Sequence, residues 1–148
     1  MACRERSDEM PQDYIQTVRS FYDAFARRDA QLFIELLDPQ IEWTSAENFL
    51  YADQSPYVGA DAVVKLIFGR LFADWDDSSI SAGEILGGGD IVIASGRFTG
   101  TFKTNGAPIN AQVVQVFQFK DGKVVKCQVY TDTAQFKEAI SQIRSVSA

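Results

Sequence analysis

The segment that most constrains this chain lies between residues 80 and 131. Four apolar stretches, Ile80 to Leu86, Ile91 to Phe102, Ile109 to Phe119 and Val124 to Thr131, are separated by turn signals. The separators are Gly87-Gly88-Gly89-Asp90, Asn105-Gly106 and Asp121-Gly122. The last two dipeptides tolerate the positive φ of type I′ turns, so residues 91–131 predict an antiparallel meander. A sheet of these strands has two faces, and helices able to pack on one of them should lie elsewhere in the chain.

Such helices are legible in the first half. Tyr14, Ile15, Val18, Phe21, Tyr22 and Phe25 recur at three- and four-residue spacings and predict a helix. Arg27 and Arg28 fall in its last turn, Asp29 suits the N-cap of a second short helix with Leu32, Phe33, Leu36 and Leu37, and Pro39 is expected to end it. Ile41 and Trp43 alternate with Glu42 and Thr44 as in a short strand. Residues 45–58 follow neither period yet hold Phe49, Tyr51 and Tyr57, as expected of a loop over a cavity mouth. A third helix is predicted from Gly59 to about Asp74, with Val64, Ile67, Phe68, Leu71 and Trp75 on one face. A closing helix carries Phe136, Ala139, Ile140 and Ile143. The order is three helices, a curled antiparallel sheet and one short helix, which is α+β. Residues 1–11 are expected as a flexible polar arm and 12–148 as one domain, since 148 residues suffice for a single core without disulfides or metal.

Composition narrows the chemistry. With no histidine, the chain lacks Ser-His-Asp and Cys-His nucleophile systems and His-ligated zinc. Any acid–base step must use Asp, Glu, Lys, Tyr or Cys. A net charge of -6 argues against a phosphate-binding face, so no nucleic-acid partner is expected. The charged start MACRERSDEM reads as neither a signal peptide nor a span, and Cys3 and Cys127 make no disulfide framework. The expectation is a cytoplasmic protein with no membrane partner, metal or cofactor.

The order and spacing of several phrases carry a resemblance. They are Phe21-Tyr22-Asp23-Ala24-Phe25 running into Arg28-Asp29, Leu36-Leu37-Asp38 before Ile41-Glu42-Trp43, and Gly59-Ala60-Asp61-Ala62-Val63. Gly89-Asp90-Ile91-Val92, Gly96-Arg97, Val116-Phe117-Gln118-Phe119, Asp121-Gly122-Lys123-Val124 and Tyr130-Thr131-Asp132 complete the series. Over residues 14–137 the chain resembles the nuclear transport factor 2-like (cystatin-like) fold, in its SnoaL-like polyketide cyclase and ketosteroid isomerase branch. The resemblance implies a cone in which the curved sheet wraps three helices around an apolar pocket, and a homodimer through the convex sheet face.

The same resemblance tests the reactive residues. The ketosteroid isomerase base falls on Ser45, its tyrosine on Phe21 and its second acid on Gln115, so that carboxylate chemistry has no carrier here. The strand that bears acid and base in SnoaL-like cyclases reads Gln112-Val113-Val114-Gln115. Of the epoxide-hydrolase set, Arg97 and Asp132 match, while Thr99, Trp43 and Ser45 replace the rest.

Two arrangements stay open for the sheet. In one, the face with Ile93, Arg97, Thr99, Gln128, Tyr130 and Asp132 lines the pocket, and Val92, Phe98 and Val129 form the dimer face. In the other, the polar face meets water and the helices cover the apolar one. Asp132 is either an acid–base group with Arg97 as its partner, or the cap of the last helix, since Asp132-Thr133-Ala134-Gln135 has capping-box spacing. The expected ligand is a small hydrophobic molecule held by Tyr22, Phe25, Trp43, Ser45, Phe68, Thr99, Gln115, Gln128 and Tyr130. The expected activities are a cofactor-independent isomerase, cyclase or hydrolase using Asp132 and Arg97, or else a non-catalytic binding or association module.

Overall fold

A computed structural model describes residues 2–142, with side chains described from Tyr14 onward. Helix α1 (Ala2–Arg27) leads through Arg28, at φ 59, into α2 (Ala30–Leu36). Asp29 caps α2 by accepting the Leu32 amide at 3.1 Å. The backbone of residues 2–11, expected as an arm, is part of α1. Its Ala, Arg, Glu and Met favour a helix even without an apolar stripe.

Strand β1 (Leu37–Thr44) starts where α2 stops, so Pro39 does not end the helix but lies inside the strand. It is tolerated because the ladder is interrupted between Leu37 and Glu42, where no amide is demanded of it. After the 45–56 loop, β2 (Tyr57–Val58) pairs with β1. The third predicted helix is α3 (Ala60–Val63), a π-helical turn (Val64–Phe68) and α4 (Gly69–Asp74) in unbroken succession. Trp75, expected on that helix, instead opens β3 (Trp75–Gly88) and remains buried.

The meander follows as β4 (Ile91–Phe102), β5 (Pro108–Lys120) and β6 (Lys123–Thr131), and α5 (Thr133–Ser141) closes the described chain. Asp121 and Gly122 both adopt positive φ, 52° and 84°, as a type I′ turn requires. Asn105-Gly106 does not form such a turn. It lies in a longer connection, where the Asn105 amide donates to Ala139 O and Gln142 O and ties the hairpin tip to the end of α5. In α5, Phe136 and Ala139 are buried and Ile140 is exposed. Ile143 lies outside the described residues.

The six strands run β2-β1-β6-β5-β4-β3 in one open, curved sheet. The expected antiparallel sheet is in fact mixed, because β1 pairs parallel to β6. The helical crossover between β1 and the meander permits this pairing, which a tight hairpin cannot make. Val18, Phe21, Ala24 and Phe25 of α1 meet the inner face of the sheet, where Val92, Ala94, Phe98, Ala111 and Phe117 are buried. The chain therefore has the α+β cone of the nuclear transport factor 2-like fold. No helix among the described residues is long and apolar enough to cross a membrane.

Packing decides between the two sheet arrangements. Val92 and Phe98, expected on the dimer face, are 0% and 4% exposed against the helices. Val129 also faces inward. The outer face carries Ile93, Arg97 and Tyr130 instead. A guanidinium turned into the apolar side without a counter-charge is far costlier than burying Val92 and Phe98 there.

Candidate functional site

The inner face of β5 presents Ile109, Ala111, Val113, Gln115, Phe117 and Phe119 at the two-residue strand period. Gln115 is the one polar member of this row and is buried. Tyr22, next to the core residue Phe21 on α1, reaches across and donates its hydroxyl to Gln115 Oε1 at 2.7 Å. Burial, with the nearby Cys127 thiol adding to it, pushes the Tyr22 pKa far above its ordinary value, so the phenol stays protonated. Burial alone raises the Cys127 pKa, leaving an inert thiol within the core.

Beside Gln115 is a cavity of about 60 Å³. Its helical wall is Phe25, Ile67, Phe68, Leu71 and Phe136, and its strand wall includes Trp43, Ile80, Phe98, Val113, Val129 and Thr131. Phe49 closes one side from the 45–56 loop, with its ring edge-on to Phe136 at 5.0 Å. In the π turn the Gly69 amide bonds Val64 O, which accommodates one extra residue in the helix that contributes Ile67, Phe68 and Leu71. Ser45, just beyond β1, also lines the cavity, and its Oγ is buried with no hydrogen-bond partner. Leaving such a hydroxyl unsatisfied costs about 1–3 kcal/mol, so its presence calls for a reason.

Of the residues expected at the site, Phe25, Trp43, Ser45, Phe68 and Gln115 line this cavity, and Tyr22 holds Gln115. Thr99, Gln128 and Tyr130 do not. Strand parity places them on the outer face with Arg97, opposite Asn110, Val116 and Val114 respectively. Arg97 donates to Asn110 Oδ1 at 2.6 Å and to Asn110 O at 3.0 Å. Asp132 takes the N-cap position of α5, where its carboxylate accepts the Gln135 amide at 2.9 Å and no backbone N–H. Both line one open outer groove without forming an ion pair, so the expected Asp132–Arg97 couple inside the cavity is not made.

Phe49, Ile67, Leu71, Ile80, Phe98, Val113, Val129, Thr131 and Phe136 complete the lining but were not among the residues expected to bind. The two-residue period on β4, β5 and β6 carries the signal for Phe98, Val113, Val129 and Thr131 once the inner face is known. For Phe49 the signal is the aromatic 45–58 loop, expected over the cavity mouth, although no period singles out this residue within it.

A polar clamp holds that loop down. Arg70 of α4 bonds Asp53 in a two-point fork, Nη2 to Oδ1 at 2.8 Å and Nη1 to Oδ2 at 3.3 Å. Arg70 Nη2 also donates to Tyr57 Oη at 3.0 Å, and the guanidinium lies 5.1 Å from the centre of the Tyr51 ring. Tyr51 donates to Asp74 at 2.6 Å and accepts from Trp75 Nε1 at 3.2 Å. The Arg70 hydrogen bonds hold the Asp53 carboxyl at about 2, below its ordinary 3.8. A depressed carboxyl pKa stabilises the fold above the unfolded pKa, and that contribution is lost as pH falls through the folded one. Asp53→Asn is therefore expected to melt slightly below wild type at pH 6, with the gap closing between pH 4 and pH 2. A gap that stays constant over that range in melting scans would show that the fork contributes nothing.

The family profile of the SnoaL-like domain matches residues 18–127. An NTF2-like protein from Burkholderia thailandensis E264 is 31% identical, with 86% of this chain and 97% of that one covered at a TM-score of 0.81. An NTF2-like protein of unknown function from Burkholderia pseudomallei K96243 is 25% identical over 88% and 98% of the two chains, at 0.80. TerC, solved with polyporic acid, shares the fold at 20% identity over 88% and 99%, at 0.78. No curated protein matches. With the profile spanning most of the chain and the cone and its cavity in place, the chain belongs to the SnoaL-like domain family.

Proposed function

We propose that this chain binds a small, neutral, mostly apolar molecule in the cavity between α1, the π turn and the inner sheet face. The observation that carries this reading is the lining itself, which is aromatic and aliphatic with Ser45, Gln115 and Thr131 as its polar members and no ionisable side chain. A charged ligand would enter without a counter-ion and lose its hydration. Binding without acid–base turnover suits such a lining better than isomerisation or hydrolysis, because Asp132 and Arg97 sit on the other side of the sheet. TerC, a distant neighbour co-crystallised with a small molecule, supports the same use of the fold.

A second copy of the chain is the proposed partner for the outer face. Leu86 and Ile93 are 57% and 42% exposed and stand opposite each other on β3 and β4, with Val116 next in register on β5. An apolar row of this kind is suited to a self-complementary contact.

The test is a thermal-shift screen of neutral apolar compounds, with particle mass measured by light scattering on the same samples. A ligand at a hundred times its Kd adds about 2.7 kcal/mol, a shift of several degrees. The shift is expected to survive Asp132→Asn. A pH-dependent turnover abolished by Asp132→Asn would reverse the reading, and a monomer mass would remove the partner.

A further inference from the structure

We propose that Ser45 and Gln115 form a recognition pair for one acceptor oxygen on a narrow, unbranched end of that molecule, so that the ligand is a neutral carbonyl compound rather than a plain hydrocarbon. The inference rests on the binding reading above and names what the site selects within it.

Three observations converge. Ser45 Oγ is the one side-chain N or O atom among the described residues that is buried without a partner, and the residue is only 5% exposed. Gln115 has its Oε1 engaged by Tyr22, so the group it has left for a ligand is the Nε2 donor. Register puts the two on one wall. Thr44 stands beside Gln128 and Gln115 opposite Val129, so Ser45 and Gln115 flank Val129 from the neighbouring strands. Two strand spacings separate their backbones by about 10 Å, and both side chains line the same cavity.

The donor types decide the ligand group. Gln115 Nε2 can only donate, and the Ser45 hydroxyl has a proton to give, so an oxygen with two lone pairs satisfies both. A carboxylate would also accept twice, but no cation lines the cavity to hold it. Size decides the shape. A cavity of about 60 Å³ is well under the roughly 150 Å³ that accepts a benzene ring, so the inserted end is a short chain. Tyr22 is then a positioning residue, since its bond fixes which end of the Gln115 amide is free.

The experiment compares 2-heptanone with 2-methyl-1-heptene, which has nearly the same shape but no acceptor oxygen, on the full chain by calorimetry and thermal shift. In wild type the ketone is expected to bind about tenfold more tightly, equivalent to 1.4 kcal/mol. Ser45→Ala should raise the ligand-free Tm by about 3 °C, because it removes an unsatisfied hydroxyl. The same variant should bring the two probes to within about threefold of each other. Tyr22→Phe combined with Gln115→Met, which leaves no orphaned phenol, should have the same effect on selectivity. Equal binding of both probes to wild type overturns the recognition pair and leaves the apolar site standing. Binding of neither overturns the site as well. A ligand-free Tm that falls in Ser45→Ala overturns the unsatisfied state of Oγ on which the pair depends.

Discussion

Phe21→Ala should destabilise the chain by about 3–5 kcal/mol, a large share of the 5–15 kcal/mol typical of a domain. Phe21 is 1% exposed and is the ring at which the helices and the sheet meet. Its centroid lies 5.1 Å from Phe33, 5.3 Å from Phe117, 5.8 Å from Trp43 and 6.1 Å from Phe68. These neighbours come from α2, β5, β1 and the π turn, so none can move into the void without abandoning its own element. The consequence reaches the site, because Trp43 and Phe68 line the cavity and rest on Phe21. Urea denaturation should show the full loss with m unchanged. A loss below about 1 kcal/mol would mean that the four elements do not depend on this ring.

Gly96→Ala should be nearly as damaging, at about 3 kcal/mol, for the opposite reason. A Cβ at Gly96 would lie 2.1 Å from Ser81 O and 3.1 Å from the Ala82 Cα, and both obstacles are backbone. The β3–β4 ladder must separate there to admit it, and Ile80 and Phe98 of the cavity wall flank that point. Gly88→Ala supplies the contrast, since nothing lies within 4 Å of its added Cβ. Equal melting temperatures for the two variants would show that the ladder yields at no cost, contrary to the close approach of the strands.

How far the sequence could be read depended on the range of each interaction. Asp29 capping α2 and the type I′ turn at Asp121-Gly122 are local, and they form as their residue types require. Asn105-Gly106 has the same turn chemistry, yets its side chain is drawn off to the end of α5. That is a tertiary contact with a helix 34 positions away. Trp75 fits a helical period, but the helix ends at Asp74 and the indole is kept buried from the first position of β3.

The candidate site divides along the same line. Tyr22, Phe25, Trp43, Ser45, Phe68 and Gln115 could be named from pattern and resemblance. Thr99, Gln128, Tyr130, Arg97 and Asp132 were placed with them only under one of two assignments of the sheet faces. Alternation identifies two sets of side chains on a strand but is silent on which set meets the helices. The same symmetry concealed Phe98, Val113 and Val129 as cavity residues.

What the sequence determined by itself was the succession of elements, the absence of histidine chemistry, and the resemblance that carries the fold. Only the tertiary structure decided which face of the sheet turns inward. It decided so because burying Val92, Ala94 and Phe98 on the helix-covered face is favourable, and burying the Arg97 guanidinium there is not. That choice sends Arg97 and Asp132 to the outside, leaves Ser45 and Gln115 as the buried polar groups beside the cavity, and so sets what kind of molecule the cone can hold.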